Sequence, residues 1–213
     1  MAKWVNGILG ALLGKIGTIV GSSWKNIYYV KGIPKKSNKK TQAQVDVRYK
    51  FKMVNSLLKQ VNDLINLGFK SVVGQTPINA AVSYALENAV IGVSPDFTVD
   101  FTRLRFSQGP LKEAISPLAA ASAPLKVVFT WKNYGTNVPG KSKPTDVVNL
   151  LVYNVTKGLF LEGYGAGVRS AETANLVVPP GFADDELCCY ISFASTDGKA
   201  VSNSVYAGTI TVV

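Results

Sequence analysis

The chain has 213 residues, 47% apolar content and a formal net charge of +10, and it contains no histidine. That apolar share supports a folded core and argues against general disorder. The missing histidine removes the commonest general base, the commonest metal ligand and every His-dependent nucleophile pair. The charge is unevenly spread: residues 1–70 carry 13 Lys/Arg against Asp46 and Asp63, while residues 71–213 carry 10 Lys/Arg against 11 acids. A basic first third fits an anionic partner, an arm that docks on an acidic surface, or a solvated face.

Residues 1–40 read as a glycine-rich basic arm and linker. Gly7, Gly10, Gly14, Gly17 and Gly21 recur at three and four among Ile, Leu and Val, followed by Trp24. On a helix these glycines would line one narrow seam, and each would cost about 0.8–1 kcal/mol against alanine. Only close packing on another surface would offset that, as small residues do between membrane helices. The alternative is an extended, turn-rich arm. The reading favours helix-like or irregular packing over 4–20 and a strand over 24–31, where "IYYV" is strongly β-prone. No signal peptide is expected, because Lys15 and recurrent glycine interrupt the apolar run. The run is also too short to span a membrane.

After the basic linker, residues 41–95 read as helical. Thr41 and Gln44 form a capping-box pattern. Val47, Val54, Leu57, Leu58, Val61, Leu64 and Ile65 then give an amphipathic face as far as Leu67, and Gly68 is placed to end it. A second helix starts with Thr76 as N-cap and Pro77 at its first position, and stops at Gly92.

From 96 to 213 the period changes to two. "FTVDFTRLRF", "LKVVFTW", "DVVNLLVYN", "GLFLEGYG", "ANLVVPP", "ELCCYISFAS" and "SVYAGTITVV" read as about seven short strands between turn signals. The fold class is therefore α+β: an N-terminal glycine-rich arm and two helices, then an immunoglobulin-like antiparallel β-sandwich with Trp131 as a core anchor. Cys188 and Cys189 are adjacent, so in a strand they point to opposite faces and do not pair.

Few motifs point to chemistry. Gly135 to Ser142 fits the phosphate-loop pattern, with Lys141 and Ser142 at its end, but Pro144 and a strand-like run replace the required helix. It reads as a polar hairpin loop. Asp184, Asp185 and Glu186 read as an acidic turn rather than a calcium loop. Asn154-Val155-Thr156 is a glycosylation triplet with meaning only in a secreted chain. No catalytic residue, cofactor or metal site is assigned. Lys35, Lys36, Lys39, Lys40, Arg48, Lys50 and Lys52 are candidate anion-binding residues, with Trp24, Tyr28 and Tyr29 near them for stacking.

The opening "MAKWVNGILGALLGKIGTIVGSSWKNIYYVKG", the central "TQAQVDVRYKF" and the late "DGKAVSNSVYAGTI" resemble an uncharacterised Bacteroidota family of about this length. It is a domain of unknown function, often present in several copies per genome. The resemblance implies a bacterial or phage origin and brings no activity, ligand or catalytic residue with it.

The function expected from these residues is that of a non-enzymatic structural subunit. It would self-assemble into a filament, tube, shell or phage-like particle through its N-terminal arm, and its chief partner would be another copy of itself. The alternative is a binding module, for nucleic acid through the basic third or for glycan or protein through the sandwich loops. The compartment stays open, and an extracellular or particle-borne place is compatible with the sequence.

Overall fold

A computed structural model describes residues 2–5, 7, 10–25, 27–33, 35, 40–134 and 140–212. The chain divides into two compact units, Met1–Gln42 and Ala43–Val213.

The first unit is an antiparallel meander of β1 (Lys3–Val5), β2 (Ala11–Ile16), β3 (Ile19–Trp24) and β4 (Ile27–Gly32), in that spatial order. The described part of 4–20, expected to pack as a helix or irregularly, is therefore strands and turns, and residues 6, 8 and 9 lie outside the described residues. The reason lies in the glycines' backbone angles. Gly7, Gly14 and Gly17 sit at φ values of 80°, 104° and 55°, where glycine is at ease and a helix is impossible. Gly17 turns the chain between Ile16 and Ile19, which are cross-strand partners. Between them run β-branched Ile and Val, which favour a pleated surface.

The second unit opens with α1 (Gln42–Leu58), which begins one residue before the unit boundary, then a 3₁₀ turn at Lys59–Val61 and α2 (Asn62–Gly68). The expected continuous helix to Leu67 is thus broken once. Its apolar face is otherwise as read: Val54, Leu58, Val61, Leu64 and Ile65 are buried, although Val47 is exposed. α3 (Pro77–Asn88) starts as expected, with the Thr76 hydroxyl accepting from the Asn79 N–H. It stops before Gly92, which instead lies in a hairpin of β5 (Val90–Val93) and β6 (Asp96–Val99).

Seven further strands form two antiparallel sheets. β7 (Ile115–Ala123), β8 (Lys126–Lys132) and β11 (Thr173–Val177) make one, ordered β11-β8-β7. β9 (Val147–Asn154), β10 (Leu159–Gly163), β12 (Glu186–Ala194) and β13 (Val205–Thr211) make the other, ordered β10-β9-β12-β13. The seven are not quite the expected set. "FTVDFTRLRF" supplies β6 and a 3₁₀ turn, not a strand of these sheets, whereas "ISPLAAASA" supplies β7.

The two sheets share one core. Val127, Phe129 and Trp131 meet Val148, Leu150, Val152, Leu187, Cys189, Ile191 and Phe193 across it. The other face of the four-stranded sheet is buried too. Leu151, Tyr153, Cys188 and Tyr190 pack under α1, α2 and α3 with Leu58, Ile65, Phe69 and Ala85. Hence β9 and β12 are apolar almost without interruption, as a strand covered on both faces must be. The adjacent cysteines divide between the two cores, Cys188 toward the helices and Cys189 into the sandwich, and both are free. Among the described residues, no helix is long and apolar enough to cross a membrane.

Candidate functional site

The N-terminal sheet lacks a core of its own. Among the described residues 2–42, Leu12 is the only buried side chain. Trp4, Trp24, Ile27, Tyr28, Tyr29, Val30 and Ile33 are all at least 41% exposed. A two-sided sheet of this size cannot bury enough apolar surface to stand alone. Isolated exposed apolar residues are ordinary, but this many on one small sheet mark it as a surface for interaction.

The strand register assigns every side chain to a face, because cross-strand partners share a face and alternate residues change it. One face carries the rows Ile16–Ile19–Gly32, Gly14–Gly21–Val30 and Ser23–Tyr28. Leu12 folds onto this face over Gly21, where an added β-carbon would stand 2.1 Å from the Leu12 carbonyl oxygen. A hollow of about 350 Å³ is lined mainly by residues of this face, Trp4, Leu12, Ile19, Tyr28 and Val30, with Ala11 and Tyr29 reaching it from the other. The opposite face carries Lys15–Val20–Lys31, Ser22–Tyr29 and Trp24–Ile27. The sheet therefore has an apolar face and a cationic, aromatic face.

The five glycines thus do not form one seam. Gly21 makes room for Leu12 inside the sheet, Gly14 pairs with it, and Gly7, Gly10 and Gly17 lie at bends and turns. Trp24 ends β3 and is 62% exposed. β4 is the last strand in the order, and all six of its residues are exposed. Its outer N–H and C=O groups are a template for another strand.

The candidate cations fall into separate places. Lys35 and Lys40 are exposed in the connection after β4, and Lys36 and Lys39 lie outside the described residues. Arg48, Lys50 and Lys52 are on α1, in the second unit. Arg48 and Lys52 are exposed, while the Lys50 ammonium sits 4.2 Å from the Phe97 ring centre. Reading the basic stretch by its density in sequence singled out residues 35–52 and passed over Lys15, Lys25 and Lys31. Only the strand register shows that Lys15 and Lys31 share a face with Tyr29 and Trp24.

The second unit's polar residues are largely engaged in holding the fold. In the phosphate-loop match, Gly135–Pro139 lie outside the described residues. Its end is a turn in which the Ser142 hydroxyl accepts from the Lys112 N–H at 2.8 Å, and β9 follows, not a helix. In the acidic turn, Asp185 accepts from Lys157 Nζ at 2.6 Å and from Asn154 Nδ2 at 2.7 Å. The Lys157 bond, with that from Asn154, holds the Asp185 carboxyl below its ordinary range. Asn154 is wholly buried in this arrangement, so the glycosylation triplet presents no acceptor at the surface. Arg169 and Asp146 form an ion pair at 3.2 Å with both side chains 1% exposed. Arg169 also donates to the Lys112 carbonyl, and its own carbonyl accepts from the Trp131 indole. Among the described residues, no group of His, Cys, Asp and Glu gathers to hold a metal.

A family model, that of DUF6266, described as a family of unknown function, matches residues 11–208 of the chain. No curated protein matches it.

Proposed function

We propose that this chain, which belongs to that family of unknown function, is a non-enzymatic structural subunit that assembles with copies of itself through its N-terminal sheet. One observation carries the reading: a four-stranded sheet with, among the described residues, a single buried side chain, an apolar face and an open edge strand. In assembly, that face and edge become the missing core.

Charge selects which surfaces meet. Residues 1–42 hold eight lysines and no acid, so all 13 acids of the chain lie in residues 43–213. Residues 43–213 carry 15 Lys/Arg beside those acids, a net of +2, so two N-terminal sheets repel each other far more strongly than a sheet repels the nearly neutral second unit of a neighbour, whose carboxylates offer it local partners. Such a contact joins unlike surfaces, and unlike surfaces propagate into rings, tubes or filaments. The second unit then serves as the rigid body. We read its paired sheets as an immunoglobulin-type sandwich. Counting β7 as first, the first, second and fifth strands form one sheet and the third, fourth, sixth and seventh the other, an order that supports this reading.

The test is negative-stain electron microscopy and sedimentation of the full-length protein at low and high salt, beside a Val30→Asp variant. Regular assemblies that Val30→Asp reduces to monomers are expected. Monomers of the unaltered protein at both salt concentrations would overturn the reading.

A further inference from the structure

We propose that the cationic, aromatic face of the N-terminal sheet binds single-stranded nucleic acid without regard to sequence. This site lies on the face opposite the apolar surface invoked for assembly, so the two proposals can fail independently.

The face is organised in rows. Lys15, Val20 and Lys31 form one, Ser22 and Tyr29 the next, and Trp24 and Ile27 the third. Successive rows on one face are two residues apart along each strand, or about 6.5–7 Å. Tyr29 and Trp24, 41% and 62% exposed, are therefore diagonal neighbours on adjacent strands of one face. Lysine ammonium groups accompany both: Lys31 is 5.7 Å from the Tyr29 ring centre and Lys25 is 4.9 Å from that of Trp24. Stacking rings flanked by cations are what a single strand recognises, since every base has a π-face and every nucleotide a phosphate.

Two further observations favour a polyanion. No acid lies anywhere in residues 1–42 to neutralise the lysines from within. Lys25 also occupies the turn between β3 and β4 at φ 47°, a left-handed position where glycine would be less strained. Keeping a lysine there costs stability and places a charge beside Trp24. A phospholipid surface would also attract lysines, but it rewards a contiguous apolar surface beside them. Here the aliphatic residues are divided between the faces: Leu13, Val20 and Ile27 are interspersed with Lys15 and Lys31 on this one, and Leu12, Ile16, Ile19 and Val30 lie on the other.

The experiment uses the full-length protein with a fluorescent 20-nucleotide oligo(dT), read by anisotropy across salt concentration. Three further arms are a Lys25→Gly/Lys31→Gln double variant, a Trp24→Ala variant and competition by phosphatidylserine vesicles. Sedimentation and circular dichroism accompany each variant. Binding at low salt is expected, with log K falling against log salt by about 0.7 per phosphate contact. The double variant should flatten that slope by about 1.4, and Trp24→Ala should weaken binding about five- to a hundredfold. Secondary structure should stay unchanged in both. Three results would overturn the proposal: no binding at 50 mM salt, binding indifferent to both variants, or vesicles that displace the oligonucleotide and bind more tightly than it does.

Discussion

The backbone of Leu12 crosses so closely over Gly21 that no side chain fits between them: a β-carbon on Gly21 would lie 2.1 Å from the Leu12 oxygen and 2.7 Å from its Cγ. This contact closes the β1–β2 corner onto the β2–β3 hairpin and buries Leu12, the one buried side chain among the described residues 2–42. Gly21→Ala should therefore open residues 1–42 to limited proteolysis while residues 43–213 keep their unfolding transition. Thr18→Ala, at an exposed turn position beside it, is the control and should leave the sheet protected. Equal protease resistance in Gly21→Ala and the unaltered protein would show that the crossing is not what holds the sheet.

The Arg169–Asp146 pair should behave as a buried ion pair does when broken from one side. Asp146→Asn leaves the guanidinium without its anion, a loss of about 3–5 kcal/mol. For a unit of this size, the thermal midpoint should fall by roughly 6–20 °C. Arg169 is also 3.8 Å from the Phe193 ring, so an Arg169→Met/Asp146→Asn pair should recover part of the loss by keeping an apolar stem against it. Differential scanning calorimetry of the single and double variants measures both effects.

Asp185 predicts how the protein responds to acid. Hydrogen bonds from Lys157 and Asn154 hold its carboxyl below the ordinary value of 3.8. A group whose folded-state pKa is lowered stabilises fully above its unfolded value, and that contribution disappears as pH falls through the folded one. Urea midpoints should thus stay level from pH 6 down to about 4 and drop below it. Asp185→Asn, already uncharged, should start lower and fall less steeply over the acid range.

Both cysteines should be silent in the native protein. Burial pushes the Cys189 thiol up to about 12, and it raises Cys188 as well. A thiol reagent at pH 8 should label neither in the folded chain and both after denaturation, because the thiolate is the reactive form. Rapid labelling of Cys188 under native conditions would mean that the helices lift away from the four-stranded sheet.

How much of this was legible beforehand depended on whether the deciding interaction was local. The Thr76–Pro77 helix start, the α1 apolar stripe and strands such as "LKVVFTW" were readable because caps and periodicity act within a few residues. β7 was not. "ISPLAAASA" is rich in alanine, a poor strand former, and contains a proline, which a strand interior excludes unless a bulge frees its position. The ladder shifts between Ile115 and Leu118, and Ser116 turns to φ 45°, which supplies that bulge. The glycine seam misled for a related reason. A three-and-four spacing is also what two short hairpins produce, and only the pairing of Gly14 with Gly21 distinguishes them. Of the cationic face only the aromatic residues Trp24 and Tyr29 were legible, since Lys15 and Lys31 lie 16 positions apart in the chain and share a row only through Val20.

The division of Cys188 and Cys189 between two cores has a consequence for how this chain can change over time. β9 and β12 form a wall with a different interior on each side, and consecutive residues answer to different neighbours. Substituting one buried residue for another of similar size disturbs one interior and spares the other. Inserting or deleting a single residue in either strand exchanges the interiors, sending Tyr190 toward Phe193's side and Ile191 beneath the helices. Related chains should therefore vary in residue type along these two strands while keeping their length, and differences in length should gather in turns such as 195–200, where the chain is free to lengthen outward.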